Sequence, residues 1–442
     1  MNWRDQYREK LITAQQAAGM IRSGQRVLTS LATMEPQYLA NALCDRWQEL
    51  RDVEVFTSNT MKPYPWFDEE RSSAFKIHAG YLSGISRPLY REKRLEYSIN
   101  TVYSPTKWLE PSRSVAMMNA DVCLLTLSPP NEQGFCSFGE QLWYSRAWVE
   151  RSKLVIAEVN PLLIRTGGDN YVHVSQIDYL LEQPEPIKPF SMTLVVSPDE
   201  QEAAEKIGAS VASLINDGDT IQIGLGSVSM AAGFYLREKN DLGVHSEIIT
   251  SAMIDLYKRG VITGKQKTLN PGKMVATGMF IEPEDYGFVD GNPIIELRDA
   301  FYTNNPVVIA QNHNQVAINN ALAVDFTGQV TAEAFGPQMY TGVAGQLDFV
   351  LGAYLSPGGK SITVLPSTAR GGTVSRIVSM FPEGQIVSLP RTYIDYVVTE
   401  YGIASLAGKS EQQRAASLIE IAHPKFRDEL RELARHRFGN GI

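Results

Sequence analysis

The sequence predicts an α/β protein of two structurally similar open halves, each built on a mainly parallel sheet. Three observations carry that expectation. First, "TAQQAAGMIRSGQRVLTS" and "VASLINDGDTIQIGLGSVSM" are written alike: helix, glycine turn, apolar strand. Second, Gly24 and Gly218 in those segments lie 194 residues apart, and so do Gly134 in "NEQGFCSFG" and Gly328 in "DFTGQVTAEAFG". Third, "SKLVIAEVN" and "GKSITVLPS" each carry a short, nearly continuous apolar run, as strands buried on both faces do. Strands that alternate with helical patterns in this way build parallel sheets with helices packed on them.

The elements follow in order. Thr13 with Gln16 forms a capping-box pattern, and Ala17, Met20 and Ile21 mark one helical face. Ser23-Gly24 is the expected stop, followed by the strand "RVLTS". Pro36 suits the first position of the next helix, "PQYLANALCDRWQEL". The proline-rich stretch Leu181–Phe190, "LEQPEPIKPF", is the natural boundary, giving expected domains of 1–186 and 187–442. Two domains also suit a chain of 442 residues, too long for one compact core.

Composition narrows the function classes. With 43% hydrophobic and 20% charged residues the chain has the profile of a soluble globular protein. A net charge of −8 and the lack of a basic block argue against a nucleic-acid partner. No apolar run is long enough to span a bilayer, and the charged start "MNWRDQYREK" does not read as a signal peptide. Cys44, Cys123 and Cys136 show no CxxC spacing, and the six histidines are scattered, so neither a disulfide framework nor a metal site is expected. The expected compartment is the cytoplasm.

Four motifs carry candidate chemistry. In "IQIGLGSVSMAAG" the loop Gly224, Leu225, Gly226, Ser227 and Val228 stands between a strand and a helix, where backbone N–H groups can meet a phosphate or pantetheine chain. A plain tight turn explains the same glycines equally well. "SPGGKSITVLPS" is not a P-loop: GxxxxGK needs glycine where Tyr354 stands, and the segment after Ser361 reads as a strand instead of a helix. "TGVAGQLDFVLGA" offers Gly342, Gly345 and Gln346 either as an oxyanion-binding turn or as an ordinary helix start. In "PSTARGGTVSRIV", Arg370 is suited to a phosphate, although a lone arginine is more often a surface charge. Finally, "LGVHSEIITSAMID" sets Glu247 between a histidine and apolar residues. A lone glutamate is most often a solvated strand end.

Taken together, the motifs resemble those of the acetyl-CoA hydrolase/transferase family, in particular its 4-hydroxybutyrate CoA-transferase type. "SPPNEQGFCSFG", "EVNPLLIRTGG", "INNALAVDFTGQV", "GQLDFVLGAYLSPGGKSI", "VVTEYGIASLAGKS" and "IAHPKFRDEL" occur in family order along nearly the whole chain. The resemblance implies two halves of the CoA-transferase (NagB/RpiA-like) fold. It implies that Glu247 is the nucleophile, that Gly224–Val228 is the CoA-binding loop, and that Gly345 contributes to the oxyanion site. Arg370 would lie near CoA, with Gly342 and Gln346 in the adjoining turn. His245 is expected to position the loop and not to act as a base, because carboxylate attack removes no proton.

The implied reaction moves CoA between short carboxylic acids through a glutamyl-CoA thioester, with acyl-CoA as substrate and no permanently bound cofactor. Expected acceptors are 4-hydroxybutyrate, butyrate, succinate or itaconate, and a homo-oligomer is the expected assembly. Two departures bear on the acyl group: Ser251-Ala252 stand where the family commonly has Asp-Gly, and Ala344 replaces a glycine of the usual GxGGQ. An acyl-CoA hydrolase on the same scaffold and a non-catalytic CoA or metabolite sensor are the rival readings.

Overall fold

The computed structural model describes residues 2–108, 120–188 and 198–439. Pro189 and Phe190, which end the proline-rich stretch, lie outside them. The chain forms two compact units, residues 1–191 with Thr277–Tyr302, and residues 192–276 with Thr303–Ile442.

The first unit holds a seven-stranded sheet. Its strands are β1 (Arg26–Thr29), β2 (Val53–Thr57), β3 (Phe75–Ala79), β4 (Leu95–Tyr97), β5 (Val122–Leu127), β6 (Leu154–Val159) and β7 (Tyr179–Glu182). The spatial order is β7-β6-β5-β1-β2-β3-β4, and every neighbouring pair is parallel. β5 is buried at all six positions, as its continuous apolar run requires. The Thr13–Gln16 capping box forms as expected, but its helix is short, Ala14–Gly19. The chain then turns through Gly24, whose φ of +75° suits glycine. Helix α1 (Gln37–Asp45) begins one residue later than predicted: Pro36 is its N-cap, in extended conformation, not its first helical residue. The capping acceptor comes from far along the chain. Glu158 takes the N–H groups of Gln37, Tyr38 and Leu39 at 3.0, 2.9 and 3.1 Å.

The second unit repeats the plan. It contributes β8 (Thr220–Ile223), β9 (Gly243–His245), β10 (Met274–Ala276), β11 (Gln315–Asn320), β12 (Lys360–Val364), β13 (Tyr396–Thr399) and β14 (Gly402–Ser405), in the order β14-β13-β12-β11-β8-β9-β10. All neighbouring pairs are parallel except β13–β14. The winding matches the first unit: β8 takes the place of β1, and β11 that of β5. Gly218 leads into β8 with φ +81°, as Gly24 leads into β1, and Gly134 and Gly328 share positive φ values of +87° and +94°. The expected duplication is therefore visible in both topology and backbone. Residues 360–364 form a strand, consistent with rejecting a P-loop.

In such sheets the crevice for ligands opens at the carboxyl ends of the two central strands, where the order reverses. In the second unit those strands are β8 and β11. Three further helices flank this region: α2 (Ser227–Phe234), α3 (Ser251–Lys258) and α4 (Gln346–Leu355). Phe349 and Ala353 of α4 pack with Ala317 of β11 and Ile309 in one buried cluster. Each large side chain withdrawn from water there stabilises the unit by roughly 1.5–3 kcal/mol. A Cβ on Gly352 would overlap Ile309, so glycine is what lets α4 sit close. That packing fixes where the N-terminus of α4 points.

Candidate active site

β9 ends at His245, and the chain passes through Ser246 to Glu247 before continuing as a short strand, Ile248–Thr250. His245, Ser246, Ile249 and Val244 are fully buried. Glu247 is half-buried, so it is neither a solvated strand end nor part of the sealed core. Two donors hold it. Asn304 Nδ2 donates to Glu247 Oε2 at 2.9 Å, and the backbone N–H of Gly345 donates to the same carboxyl group. Burial raises the Glu247 pKa to about 7, against the opposing effect of the two donors. A carboxyl group in that range is part ionised at neutral pH and poorly hydrated.

Gly345 is the N-cap of α4, so the Glu247 carboxyl lies at the positive end of a ten-residue helix. The structure therefore bears out the helix-start reading of "TGVAGQ", with the N-cap N–H facing the Glu247 carboxyl. A Cβ on Gly345 would fall on Glu247 Oε2 and on Asn304 Nδ2. Its φ of −87° would suit any residue, so glycine is needed here for space and not for backbone freedom. The preceding Ala344 has φ +49°, the left-handed region that a glycine occupies without cost.

His245 is hydrogen-bonded to the segment that carries Asn304. Its Nε2 lies 2.9 Å from the carbonyl of Thr303, so that nitrogen carries the proton. Thr303 adjoins Asn304, and Gln315 Nε2 donates to the His245 carbonyl at 3.1 Å. β9, β11 and the Thr303–Asn304 segment are thereby tied together behind the glutamate.

The remaining predicted residues fall into two groups. Gly224, Leu225 and Gly226 follow β8, and Ser227 and Val228 open α2. Gln346 is buried and donates from Nε2 to the Asn320 carbonyl at 3.0 Å, joining the α4 turn to the end of β11 beside that loop. Gly342 is buried in the turn that leads to Gly345. Arg370 is apart from these contacts. It is exposed at the tip of a hairpin between Thr368–Ala369 and Val374–Ser375, with φ +51°, and Thr373 Oγ1 closes the turn on its carbonyl at 2.8 Å.

Sequence reasoning did not assign Asn304. Nothing in "FYTNNP" separates Asn304 from Asn305, which caps the short helix Pro306–Ile309 through a 3.0 Å bond to Val307 N. Among the described residues no group of three His, Cys, Asp or Glu side chains could hold a metal, and no helix is long and apolar enough to cross a membrane.

The acetyl-CoA hydrolase/transferase N-terminal domain matches residues 1–191, and the C-terminal domain of the same name matches residues 283–434. The 4-hydroxybutyrate coenzyme A transferase of Clostridium kluyveri is 40% identical over 439 residues, 99% of this chain and 100% of the relative. The chain belongs to the acetyl-CoA hydrolase/transferase family. A second member, the succinyl-CoA:cyclohexane-1-carboxylate CoA transferase of Geobacter metallireducens, is 34% identical and covers 98% of this chain and 97% of its own length. The crystal structure of RipA from Yersinia pestis superposes with a TM-score of 0.89 at 32% identity, covering 100% of both chains. Across its full length, then, this family member is kin to CoA-transferases.

Proposed function

We propose that the enzyme exchanges CoA between short-chain carboxylic acids by a ping-pong route through a thioester on Glu247. The 4-hydroxybutyrate coenzyme A transferase, 40% identical over its full length, is the guide to the acid, so 4-hydroxybutyrate heads the acceptors, with butyrate, succinate and itaconate behind it. The observation that carries the reading is the Glu247 carboxyl held by Asn304 Nδ2 and the Gly345 N–H at the start of α4.

Exchange of one thioester for another is nearly thermoneutral, so the barrier is kinetic and a nucleophile divides it into smaller steps. The Glu247 carboxylate attacks the acyl-CoA carbonyl; the C–S bond breaks and the CoA thiolate leaves with the electron pair, forming a mixed anhydride. The thiolate then attacks the glutamyl carbonyl, the anhydride C–O bond breaks, and the first acid departs as its carboxylate. The incoming carboxylate attacks the glutamyl-CoA carbonyl and regenerates an anhydride and thiolate. The thiolate attacks the new acyl carbonyl, releasing the new acyl-CoA and the Glu247 carboxylate. No net proton is consumed.

Negative charge builds on the glutamyl oxygen in both attacks at Glu247. The Asn304 and Gly345 donors already face that oxygen, and they strengthen as its charge grows. The Gly224–Val228 loop is assigned to CoA, and Arg370 to the nucleotide end. Binding that remote end holds the thioester against Glu247.

The test is intact-mass and peptide mass spectrometry after adding a short acyl-CoA without acceptor, with borohydride trapping in parallel. A CoA-sized adduct or a reduced side chain at Glu247, absent in Glu247→Ala, is the expected result. Free acid accumulating at the same rate in Glu247→Ala would overturn the covalent route and leave a hydrolase using water directly.

A further inference from the structure

The side chain of Asn320 interlocks with the Gly224–Val228 loop. Its Nδ2 donates to the Leu225 carbonyl at 3.1 Å and to Ser229 Oγ at 2.7 Å. Its Oδ1 accepts from the Ser229 N–H at 3.2 Å. Because a carbonyl only accepts, Leu225 fixes which end of the amide is nitrogen. Ser229 Oγ in turn donates to the Gly224 carbonyl at 2.5 Å, and the Gly226 carbonyl accepts from the Met230 N–H at 3.0 Å. Gly226 has φ +151°, and a Cβ there would overlap Asn320 Nδ2, so the amide fills space that only glycine leaves open.

This arrangement dictates the other side of the loop. In a trans peptide the C=O and the following N–H point in opposite directions. With the Gly224, Leu225 and Gly226 carbonyls held by Ser229, Asn320 and Met230, the N–H groups of Leu225, Gly226 and Ser227 each point away from those partners. Three successive amides so directed form a cradle for an anion or for the carbonyl groups of a pantetheine chain.

We propose that Asn320 is a positioning residue for acyl-CoA: it sets the direction of these three amides without touching the substrate. The inference rests on the assignment of the loop to CoA. The link from this strand end to the oxyanion turn runs through the Asn320 main-chain carbonyl and Gln346, so replacing the side chain leaves that link in place.

The test uses Asn320→Asp, which keeps size and one acceptor but sets a carboxylate against the Leu225 carbonyl, and Ser229→Ala, which removes only the hydroxyl between Asn320 and Gly224. Free CoA binding is measured by calorimetry, and acetyl-CoA turnover is measured against a short acid acceptor. The expected result for Asn320→Asp is a rise of about 10- to 100-fold in both the CoA Kd and the acetyl-CoA KM. Its kcat and acid KM should stay within about threefold of the wild type. Ser229→Ala should move in the same direction by a smaller factor. An unchanged CoA Kd in both variants would overturn the proposal, as would a parallel loss of kcat and acid binding, which marks general damage. If the wild type binds CoA but transfers nothing, the proposed reaction fails while the calorimetry still tests Asn320.

Discussion

Asn304 Nδ2 lies 2.9 Å from Glu247 Oε2, and the Asn304 side chain is fully buried, so an uncharged donor is held against an acid far from it in sequence. An ammonium or guanidinium in that place would pin the carboxylate in its ionised form and blunt it as a nucleophile. On the proposed route the amide would strengthen its hydrogen bond as charge develops and relax once the acyl bond is complete. Asn304→Ala should therefore lower kcat by about 100- to 1,000-fold. Acetyl-CoA KM should change little, and steady-state kinetics read the two apart.

The pH profile should follow Glu247. With its pKa raised to about 7, kcat/KM for acyl-CoA should fall about tenfold per unit below that value and level off above it. The Asn304 bond lowers this pKa, so in Asn304→Ala the inflection should move to higher pH. A profile flat from pH 5 to 8, measured on the free enzyme's kcat/KM, would contradict Glu247 as the reacting carboxylate.

Stability should run the opposite way to activity. Burial raises the pKa of Glu35 to about 8 and that of Glu158 to about 7, alongside Glu247. Between their unfolded values near 4.5 and these folded values, the folded chain holds protons that the unfolded chain has released. Stability is then greatest at the acid end of that window and declines as pH rises through it. The urea midpoint should accordingly be lower at pH 8.5 than at pH 5.5.

Gly345→Ala should abolish transfer while leaving the fold intact. The backbone at φ −87° accepts alanine, but the added Cβ occupies the space of Glu247 Oε2 and Asn304 Nδ2. Loss of the aligned donors should cost at least about 100-fold in kcat. Circular dichroism should show a native spectrum, which separates a displaced nucleophile from a misfolded unit.

Glu158→Ala should destabilise without touching the chemistry. It removes the acceptor for three N-terminal amides of α1 and for Gln183 Nε2, which donates at 2.7 Å. Leaving buried donors unpaired should cost about 2–4 kcal/mol, seen as a lower denaturation midpoint. Glu158→Gln, which keeps one acceptor, should cost less.

Several features were legible because their signals are local. The Thr13–Gln16 capping box, the glycines before β1 and β8, and the strand at Lys360–Val364 each depend on a few neighbouring residues. Pro36 shows the limit. Its local preference for the first helical position gave way to an extended N-cap, because Glu158 supplies the acceptor that a capping side chain would otherwise provide. Glu247 was legible only through its motif, since nothing in "HSE" distinguishes a half-buried carboxyl from a solvated one. Asn304 carried no signal at all: it is 57 residues from its partner, and its neighbour Asn305 looks the same in sequence.

By itself the sequence determined the alternation of strand and helix, its repetition in two halves, and the family motifs that single out Glu247. These follow from periodicity, turn chemistry and residue order, all properties of short windows of chain. Only the tertiary structure decided that Asn304 and the Gly345 amide converge on that carboxyl, that burial lifts its pKa, and that Asn320 bonds the Leu225 carbonyl and Ser229. Those contacts are made through space once β8, β9, β11 and α4 have packed, and hydrogen-bond geometry and desolvation exist only where the folded chain brings distant groups together.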